Sequence, residues 1–174
     1  MNILIKLKEK AAELGSANLF NPGASAVEIA SFEKEMGLEL PALLKAFYMQ
    51  NNGGCFAVDW SEEDLEDPEM KADIAWNANY FLTLEEIIDT YNMQGPLRSF
   101  EYPSLEQKTG RRLIPIIHSD QQEMIVLDLT DPEKTLILDA FHEYSLEQWG
   151  ELYQSFEALL EEYISNDGML DAEA

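Results

Sequence analysis

Three adjacent residues, His118, Ser119 and Asp120, have the side-chain types of a hydrolytic triad. In a working triad the three side chains come from separated positions and meet in space, because each must point at the next. Neighbours in one short segment cannot adopt that geometry, so the sequence favours a polar turn after a strand over a catalytic relay. The other histidine, His142, follows an apolar stretch, which indicates a surface or hydrogen-bonded position rather than a metal ligand.

Other patterns of catalytic or metal-binding chemistry are incomplete. The one cysteine, Cys55, stands among apolar residues without a basic neighbour, which predicts a buried, unreactive thiol. Asp59, Ser61 and Glu63 alternate like the first ligands of a calcium-binding loop. The glycine position of that loop holds Asp64, so the match fails where the geometry is strict. With no phosphate-binding glycine motif either, the sequence predicts a protein without catalytic residues, cofactor or metal site.

A dense run of carboxylates follows Trp60. No Lys or Arg occurs between Lys45 and Lys71. The run is typical either of a solvated acidic loop or of a docking surface for a basic protein partner. Trp60 and Trp76 bracket it, and aromatic rings among acids would provide the anchors of such a surface. The predicted partner-binding residues are therefore Trp60, Glu62, Glu63, Asp64, Glu66, Asp67, Glu69 and Trp76.

The overall charge points in the same direction. The chain has 34 acidic against 11 basic residues and a formal net charge of −23. This excludes the basic surface expected of a nucleic-acid-binding protein. No stretch approaches the roughly 20 apolar residues of a membrane span, and the first residues do not resemble an export signal. Together with the single cysteine, these features predict a cytoplasmic protein that does not bind membranes.

Periodicity and turn residues predict an α+β chain with a mainly antiparallel sheet and helices packed against it. Helices are predicted at residues 3–14, 26–36, 41–50, 83–93 and 153–165. Strands are predicted at 55–58, 78–82, 112–117, 123–129 and 135–141, and residues 94–109 look like an irregular connection. The links between the last three strands are too short for helical crossovers, so an antiparallel meander is expected.

Local signals fix several of these boundaries. Ser25 with Glu28, and Thr83 with Glu86, have the spacing of a capping box, and Gly95-Pro96 would stop the helix after Thr83. At least one glycine of the Asn-Asn-Gly-Gly stretch at 51–54 should have positive φ, because the chain reverses there from helix to strand.

Length and hydrophobicity favour a single domain. The chain has 174 residues, 46% of them hydrophobic, which is enough to bury a substantial core. We expect one domain over residues 1–174, with its core at about 25–165, an N-terminal helix at 3–14 and a short flexible acidic tail at 166–174. Pro115 cannot donate a ladder hydrogen bond, so it should mark an edge or a bulge in its strand.

The order of these landmarks resembles the SUKH superfamily, a group of immunity proteins and cell-wall-assembly regulators. The matching motifs are MGLELP (36–41), NNGG (51–54), FLTLEEII (81–88), LIPII (113–117), VLD (126–128) and SFEALL (155–160). Two segments depart from the family pattern. Residues 118–122 replace a turn that usually carries glycine, and residues 143–154 look like an addition before the last helix. Both are alternative places for recognition specific to this member.

The resemblance implies a non-enzymatic binding protein. Its first reading is an immunity protein that neutralises a polymorphic-toxin effector, often a nuclease, by direct binding. A second reading is a regulatory scaffold like the cell-wall-assembly regulators. A third, from another class, is a hydrolase with an unrecognised acidic site.

Overall fold

The computed structural model describes residues 2–57, 60–94, 96–97 and 100–170. They form an α+β fold that combines eight α-helices with one seven-stranded antiparallel sheet, which confirms the predicted fold class. The helices are α1 (Ile3–Glu13), α2 (Ala26–Met36), α3 (Ala42–Gln50), α4 (Glu62–Glu66), α5 (Pro68–Trp76), α6 (Leu84–Tyr91), α7 (Tyr102–Thr109) and α8 (Phe156–Ser165). The strands are β1 (Phe20–Pro22), β2 (Asn51–Gly54), β3 (Tyr80–Phe81), β4 (Leu113–His118), β5 (Met124–Asp128), β6 (Leu136–Ala140) and β7 (Gly150–Tyr153).

The strands are hydrogen-bonded in their order along the chain, with β1 at one edge and β7 at the other. Every neighbouring pair is antiparallel. The predicted meander of β4, β5 and β6 is confirmed, because short links join these strands and no helix crosses between them.

Helices α2 and α3 form as the sequence predicts. The hydroxyl of Ser25 accepts a hydrogen bond from the Glu28 amide, and the Glu28 carboxylate accepts one from the Ser25 amide. Gly37 ends α2 in the left-handed conformation, and Pro41 precedes α3. The apolar stripes of both helices are buried in the core through Ile29, Phe32, Leu44 and Phe47.

Predicted helix 83–93 corresponds to α6, whose capping box at Thr83 and Glu86 is present. The helix ends at Tyr91, before the predicted stop at Gly95-Pro96. Gly95 lies outside the described residues.

Strand β2 contains the Gly53-Gly54 pair and lies between β1 and β3. Both glycines have positive φ, 77° and 131°, as predicted for at least one of them. A Cβ atom on Gly53 would lie 2.6 Å from the carbonyl oxygen of Phe81, and one on Gly54 would lie 2.5 Å from that of Leu19. The two neighbouring strands can therefore approach β2 only because these positions have no side chain.

The predicted strand at 55–58 is wrong for residues 55–57, and Val58 lies outside the described residues. The strand comes earlier, over residues 51–54. The backbone amides that follow this strand donate hydrogen bonds to side chains and not to a neighbouring strand. The Phe56 amide donates to the hydroxyl of Tyr163, and the Ala57 amide donates to the hydroxyl of Ser16.

Pro115 lies in β4, which has neighbours on both sides. The register against β5 shifts between Pro115 and Ile117, so the proline borders a bulge, and on its other side β3 pairs only with Ile117 and His118. The sequence left these two alternatives open.

The predicted irregular connection at 94–109 is wrong over its second half, which forms α7. An arginine just before β4 holds this helix: the guanidinium of Arg112 contacts both carboxylate oxygens of Glu106, at 2.6 and 2.8 Å. Arg112 also donates to the carbonyl oxygen of Met36 and lies 5.4 Å from the ring centre of Tyr91. These long-range contacts stabilise a short helix that has no side-chain cap at its start.

The last helix begins later than the predicted residue 153, at Phe156. Residues Gly150–Tyr153 instead pair with β6 as an edge strand, so the added segment 143–154 completes the sheet. Of the predicted tail at 166–174, the structure describes 166–170, where Leu170 packs into the core.

Four buried aromatic rings join the helices to the sheet. Phe47 of α3 lies 4.9 Å from Phe81 of β3 and 5.6 Å from Phe156 of α8, measured between ring centres. Tyr163, about two helical turns further along the same face of α8, lies 5.0 Å from Phe81. The hydroxyl of Tyr163 extends from this cluster to the polar segments described below.

The first prediction separates close packing from backbone conformation in β2. Gly53→Ala and Gly110→Ala both place a side chain at φ near 70°, but only Gly53 has backbone atoms within 3 Å of the added Cβ. Gly110→Ala should therefore lower the free energy of unfolding by about 1–2 kcal/mol, and Gly53→Ala by at least about 2 kcal/mol more. Urea unfolding followed by circular dichroism measures both. Equal losses for the two variants would show that β2 is not sterically constrained.

Candidate functional site

The acidic run after Trp60 forms two short helices, α4 and α5, so the expectation of a loop is wrong. The hydroxyl of Ser61 and the carboxylate of Asp64 form a capping box at the start of α4. Asp67 caps α5 by accepting a hydrogen bond from the Glu69 amide at 2.9 Å, and Pro68 follows at the first helical position. These helix-start signals are present in the sequence, but the run of charges, which is typical of a loop, outweighed them in the prediction.

The two helices present a solvent-exposed acidic surface. Glu62, Glu63, Glu66 and Glu69 are exposed and have no hydrogen-bond or ion-pair partner for their carboxylates among the described residues. Asp64 is half-buried, and its hydrogen bonds with Ser61 lower the pKa of its carboxyl group. The predicted acids therefore divide into capping residues and carboxylates that are free to meet a partner.

Both tryptophans of the predicted site are exposed, Trp60 by 40% and Trp76 by 45%. They do not lie in one depression. Trp60 lines a small cleft with Ile74 and Met169, whereas Trp76 lines a larger groove and packs against His118 in a tilted arrangement, at 4.5 Å between ring centres. The structure thus places one aromatic ring beside each of two depressions next to the acidic helices.

A small apolar cluster attaches α4 and α5 to the fold. Ile74 is the only fully buried residue of these two helices, and it packs with Leu19 and Cys55. Burial raises the pKa of the Cys55 thiol to about 12, in agreement with the predicted unreactive cysteine.

Buried hydroxyl groups fix the two ends of the segment that contains α4 and α5. The hydroxyl of Tyr163 accepts from the Phe56 amide at 2.7 Å and donates to the carbonyl oxygen of Asn79 at 3.1 Å. The hydroxyl of Ser16, fully buried, donates to the Ala57 carbonyl and accepts from the Ala57 amide, each at 2.9 Å. The chain therefore leaves and rejoins the core at fixed points, although α4 and α5 bury little surface between them.

The turn at 118–122 lies directly beside α5. The register of β3 with β4 pairs Tyr80 with His118, and the side-chain amide of Gln122 donates to the carbonyl oxygen of Trp76 at 2.9 Å. The sequence treated the acidic run and this turn as alternative binding faces. The structure joins them into one continuous surface.

The geometry of the turn does not form a catalytic relay. The His118 ring packs on Trp76, and the Ser119 hydroxyl accepts from the Glu123 amide at 3.1 Å. The Asp120 amide donates to the side-chain oxygen of Asn79. Each group therefore stabilises the turn. Among the described residues, no group of three or more His, Cys, Asp or Glu side chains is arranged to hold a metal ion.

The second alternative segment, 143–154, begins just after His142. The Nδ1 atom of His142 and a carboxylate oxygen of Glu123 lie 2.5 Å apart, and the His142 amide donates to the same carboxylate. This contact connects the segment to the strand that follows the 118–122 turn.

The groove beside Trp76 has a volume of about 400 Å³. One face of α5 forms its first wall, and Leu19, Tyr80 and His118 lie on the other side. Sequence reasoning missed it. The helical spacing of Pro68, Lys71, Ala72, Ala75 and Trp76 was visible, but the opposite wall depends on long-range strand pairing.

These elements form an α+β domain with an exposed acidic surface. Residues 23–162 match the model of the SMI1 / KNR4 family (SUKH-1), and the chain belongs to this family. A comparison with curated proteins gives no match. Within the described part of the chain, no helix has both the length and the apolar content to cross a lipid bilayer.

The second prediction tests the anchoring of the acidic helices. Tyr163→Phe leaves the Phe56 amide and the Asn79 carbonyl without their buried partner, so it should cost about 2–3 kcal/mol and speed amide hydrogen exchange in α4 and α5. Tyr48→Phe is the matched control, because that buried hydroxyl donates to the Leu82 carbonyl at 2.9 Å, away from these helices. Tyr48→Phe should leave exchange in α4 and α5 unchanged. Identical exchange patterns in both variants would refute the anchoring role.

The third prediction concerns the two histidines, whose pKa values shift in opposite directions from 6.5. Burial lowers the pKa of His118, and the contact with Glu123 raises that of His142. The imidazole of His118 should therefore titrate at lower pH than that of His142. Proton NMR measures both midpoints, with His142→Gln to assign the signals.

The same shifts fix the sign of the effect on stability. The unfolded chain binds a proton at residue 118 more readily than the folded chain, so this group destabilises the fold as the pH falls below 6.5. Residue 142 contributes stability that is present below 6.5 and is lost as the pH rises through its raised pKa. Urea unfolding measures the free energy of unfolding of His118→Gln and His142→Gln at about pH 5.5 and about pH 7.5. Relative to the wild type, His118→Gln should be more stable at the lower pH than at the higher pH, and His142→Gln should be less stable. Changes of the same sign in both variants would contradict the assignment.

Proposed function

We propose that this chain is a bacterial immunity protein that neutralises a basic, nuclease-type toxin effector by binding it directly. The observation that carries the proposal is the exposed surface of α4 and α5, whose glutamates have no ion-pair partner among the described residues. Membership of the SMI1 / KNR4 family supports it. The proposed partner-binding residues are the eight named from the sequence, from Trp60 to Trp76.

The charge of the surface selects the partner. A nuclease must hold a polyanion, so its substrate-binding face carries Lys and Arg side chains. A surface rich in carboxylates can occupy that face and exclude the nucleic acid. The complementary fields also raise the association rate, which matters for an inhibitor that must act before the toxin cuts its substrate.

The exposed rings of Trp60 and Trp76 supply the second component of binding. Aromatic side chains that become desolvated in an interface contribute mainly to a slow dissociation rate. In this proposal the acids accelerate capture and the rings lengthen the lifetime of the complex. The role is non-enzymatic and takes place in the cytoplasm, where a free thiol such as Cys55 stays reduced.

The family match also supports a regulatory scaffold that binds signalling proteins. It would use the same surface without blocking a toxin. Finding an adjacent reading frame that encodes a large secreted protein with a basic C-terminal toxin domain would favour the immunity role over the regulatory one.

The fourth prediction is kinetic. Reversing Glu62, Glu63, Glu66 and Glu69 to Lys should slow association with that basic toxin domain by at least about tenfold at low salt. The fold should stay intact, because exposed charges contribute little to stability. Asp64 and Asp67 are left unchanged, since they cap α4 and α5. Stopped-flow or surface-based binding kinetics at low and physiological salt measures the effect, and the wild-type rate should fall as salt rises.

A matched control variant has the same net charge, but its reversed residues lie on other faces of the protein. Its four reversals fall at exposed acids outside α4 and α5, namely Glu9, Glu39, Glu133 and Glu161. It should associate at close to the wild-type rate. Equal slowing by both variants would show that net charge alone sets the rate, and undiminished association of the α4–α5 variant would place the partner on another face.

Trp60→Ala should raise the dissociation rate with little change in association.

A further inference from the structure

The groove beside α5 is open where the helix presents the small side chains of Ala72 and Ala75. Pro68, Lys71, Ala72, Ala75 and Trp76 recur at positions i, i+3, i+4, i+7 and i+8, so they share one face of the helix. Helices usually bury such a face in a core. Here Ile74, on the opposite side, makes the core contact, and Ala72 remains exposed.

Rings form the apolar floor of the groove. His118 is buried and packs against Trp76, while Tyr80 and Leu19 extend the floor toward the edge of the sheet. A volume of about 400 Å³ is large enough for one or two apolar side chains of a partner. This apolar depression adjoins the acidic surface.

Carboxylates stand on both sides of the groove. Glu69 and Asp73 lie on the next face of α5, because successive helical residues are about 100° apart. Glu86 lines the opposite wall, where its carboxylate accepts a hydrogen bond from the Tyr80 hydroxyl at 3.3 Å. Lys71 is half-buried along the helix face and forms no ion pair with any described residue. The rim therefore remains acidic overall.

We propose, resting on the function proposed above, that this groove seats a large apolar side chain of the basic partner, with a Lys or Arg on each side of it. The apolar side chain would pack against Ala72, Trp76 and Tyr80. The flanking cations would face Glu69 and Asp73 on one side and Glu86 on the other. Charge complementarity selects this occupant, since an acidic or purely apolar segment would leave the rim carboxylates facing like charge or desolvated without a partner.

Three short fluorescently labelled peptides test the proposal without the natural partner. The first has a central Leu-Leu pair flanked by lysines. The second has Ser-Ser in place of the leucines, and the third has glutamines in place of the lysines. Fluorescence anisotropy with the full chain should show that the first peptide binds at least about tenfold more tightly than either of the others.

A variant that fills the groove links this preference to the site. Ala72→Trp should weaken binding of the Leu-Leu peptide at least about tenfold and leave the Ser-Ser peptide unaffected. Ala30→Trp is the matched control, because Ala30 is also an exposed alanine within a helix, α2, on another face. It should bind the Leu-Leu peptide like the wild type. Circular dichroism checks that both variants fold, and Ala72→Leu provides a smaller substitution in the same groove.

A measurement on the unaltered chain completes the test. Addition of the Leu-Leu peptide should shift the NMR signals of Ala72, Tyr80 and the Trp76 indole. Shifts confined to another face, such as the acidic groove lined by Glu35, Glu85 and Asp89 between α2 and α6, would overturn the proposal. Equal binding of the Leu-Leu and Ser-Ser peptides would overturn it as well.

The outcomes also separate this proposal from the function on which it rests. If Ala72→Trp has no effect but charge reversal on α4 and α5 weakens both lysine peptides, the groove is not the site and the acidic docking surface stands. If charge reversal leaves both lysine peptides unaffected, the acidic docking surface itself is refuted.

Discussion

Three backbones approach one another closely at Gly53 and Gly54, and this approach fixes how the N-terminal segment joins the sheet. Strand β2 lies between β1 and β3, and any Cβ at either glycine would overlap a neighbouring backbone. Strand β1 pairs only with β2, and β2 joins β3 through Gly54 and Phe81, so loss of this contact would separate β1 and β2 from the β3–β7 meander. Leu19, which anchors the acidic helices through Ile74, immediately precedes that strand. The glycine pair thus connects the core to the surface that we propose binds the partner.

The structure separates what holds the acidic helices from what they expose. Their fixed points are buried hydroxyls, Tyr163 and Ser16, and a single buried Ile74, all of which belong to the core. Their exposed carboxylates make few contacts within the chain. Substitutions on the outer faces of α4 and α5 therefore change charge and shape with little effect on folding. Such a division suits a protein whose binding surface must match one particular partner.

Local signals in the sequence predicted local structure well. Capping pairs at Ser25 and Thr83 fixed the starts of α2 and α6, and short links fixed the antiparallel order of β4 to β6. The errors lie where tertiary contacts decide. The Asn-Asn-Gly-Gly stretch has poor strand propensity, yet it pairs as β2 because its neighbours require glycine.

Tertiary contacts also decide the structure of α7 and of the candidate site, so local sequence patterns did not predict them. Helix α7 forms where Arg112, three residues after the helix ends, holds Glu106 and also donates to the carbonyl oxygen of Met36 at the end of α2. The exposure of Trp60 and Trp76 agrees with the sequence-based hypothesis, which remains a proposal as a binding site. The adjacency of Trp76 and His118 could not be predicted, since it follows from the register of β3 with β4, which no local pattern contains.

The position of the acids explains how such a charge density is tolerated. Glu62, Glu63 and Asp64 occupy the first turn of α4, and Glu69 occupies the first turn of α5. Free amides at a helix start favour negative charge, so each short helix offsets part of the repulsion among its own carboxylates. The capping aspartates accept hydrogen bonds from some of these amides, and the carboxylates of the outer glutamates remain available to a partner. A cationic partner would therefore meet carboxylates whose mutual repulsion is only partly relieved within the chain, and binding would relieve the remainder.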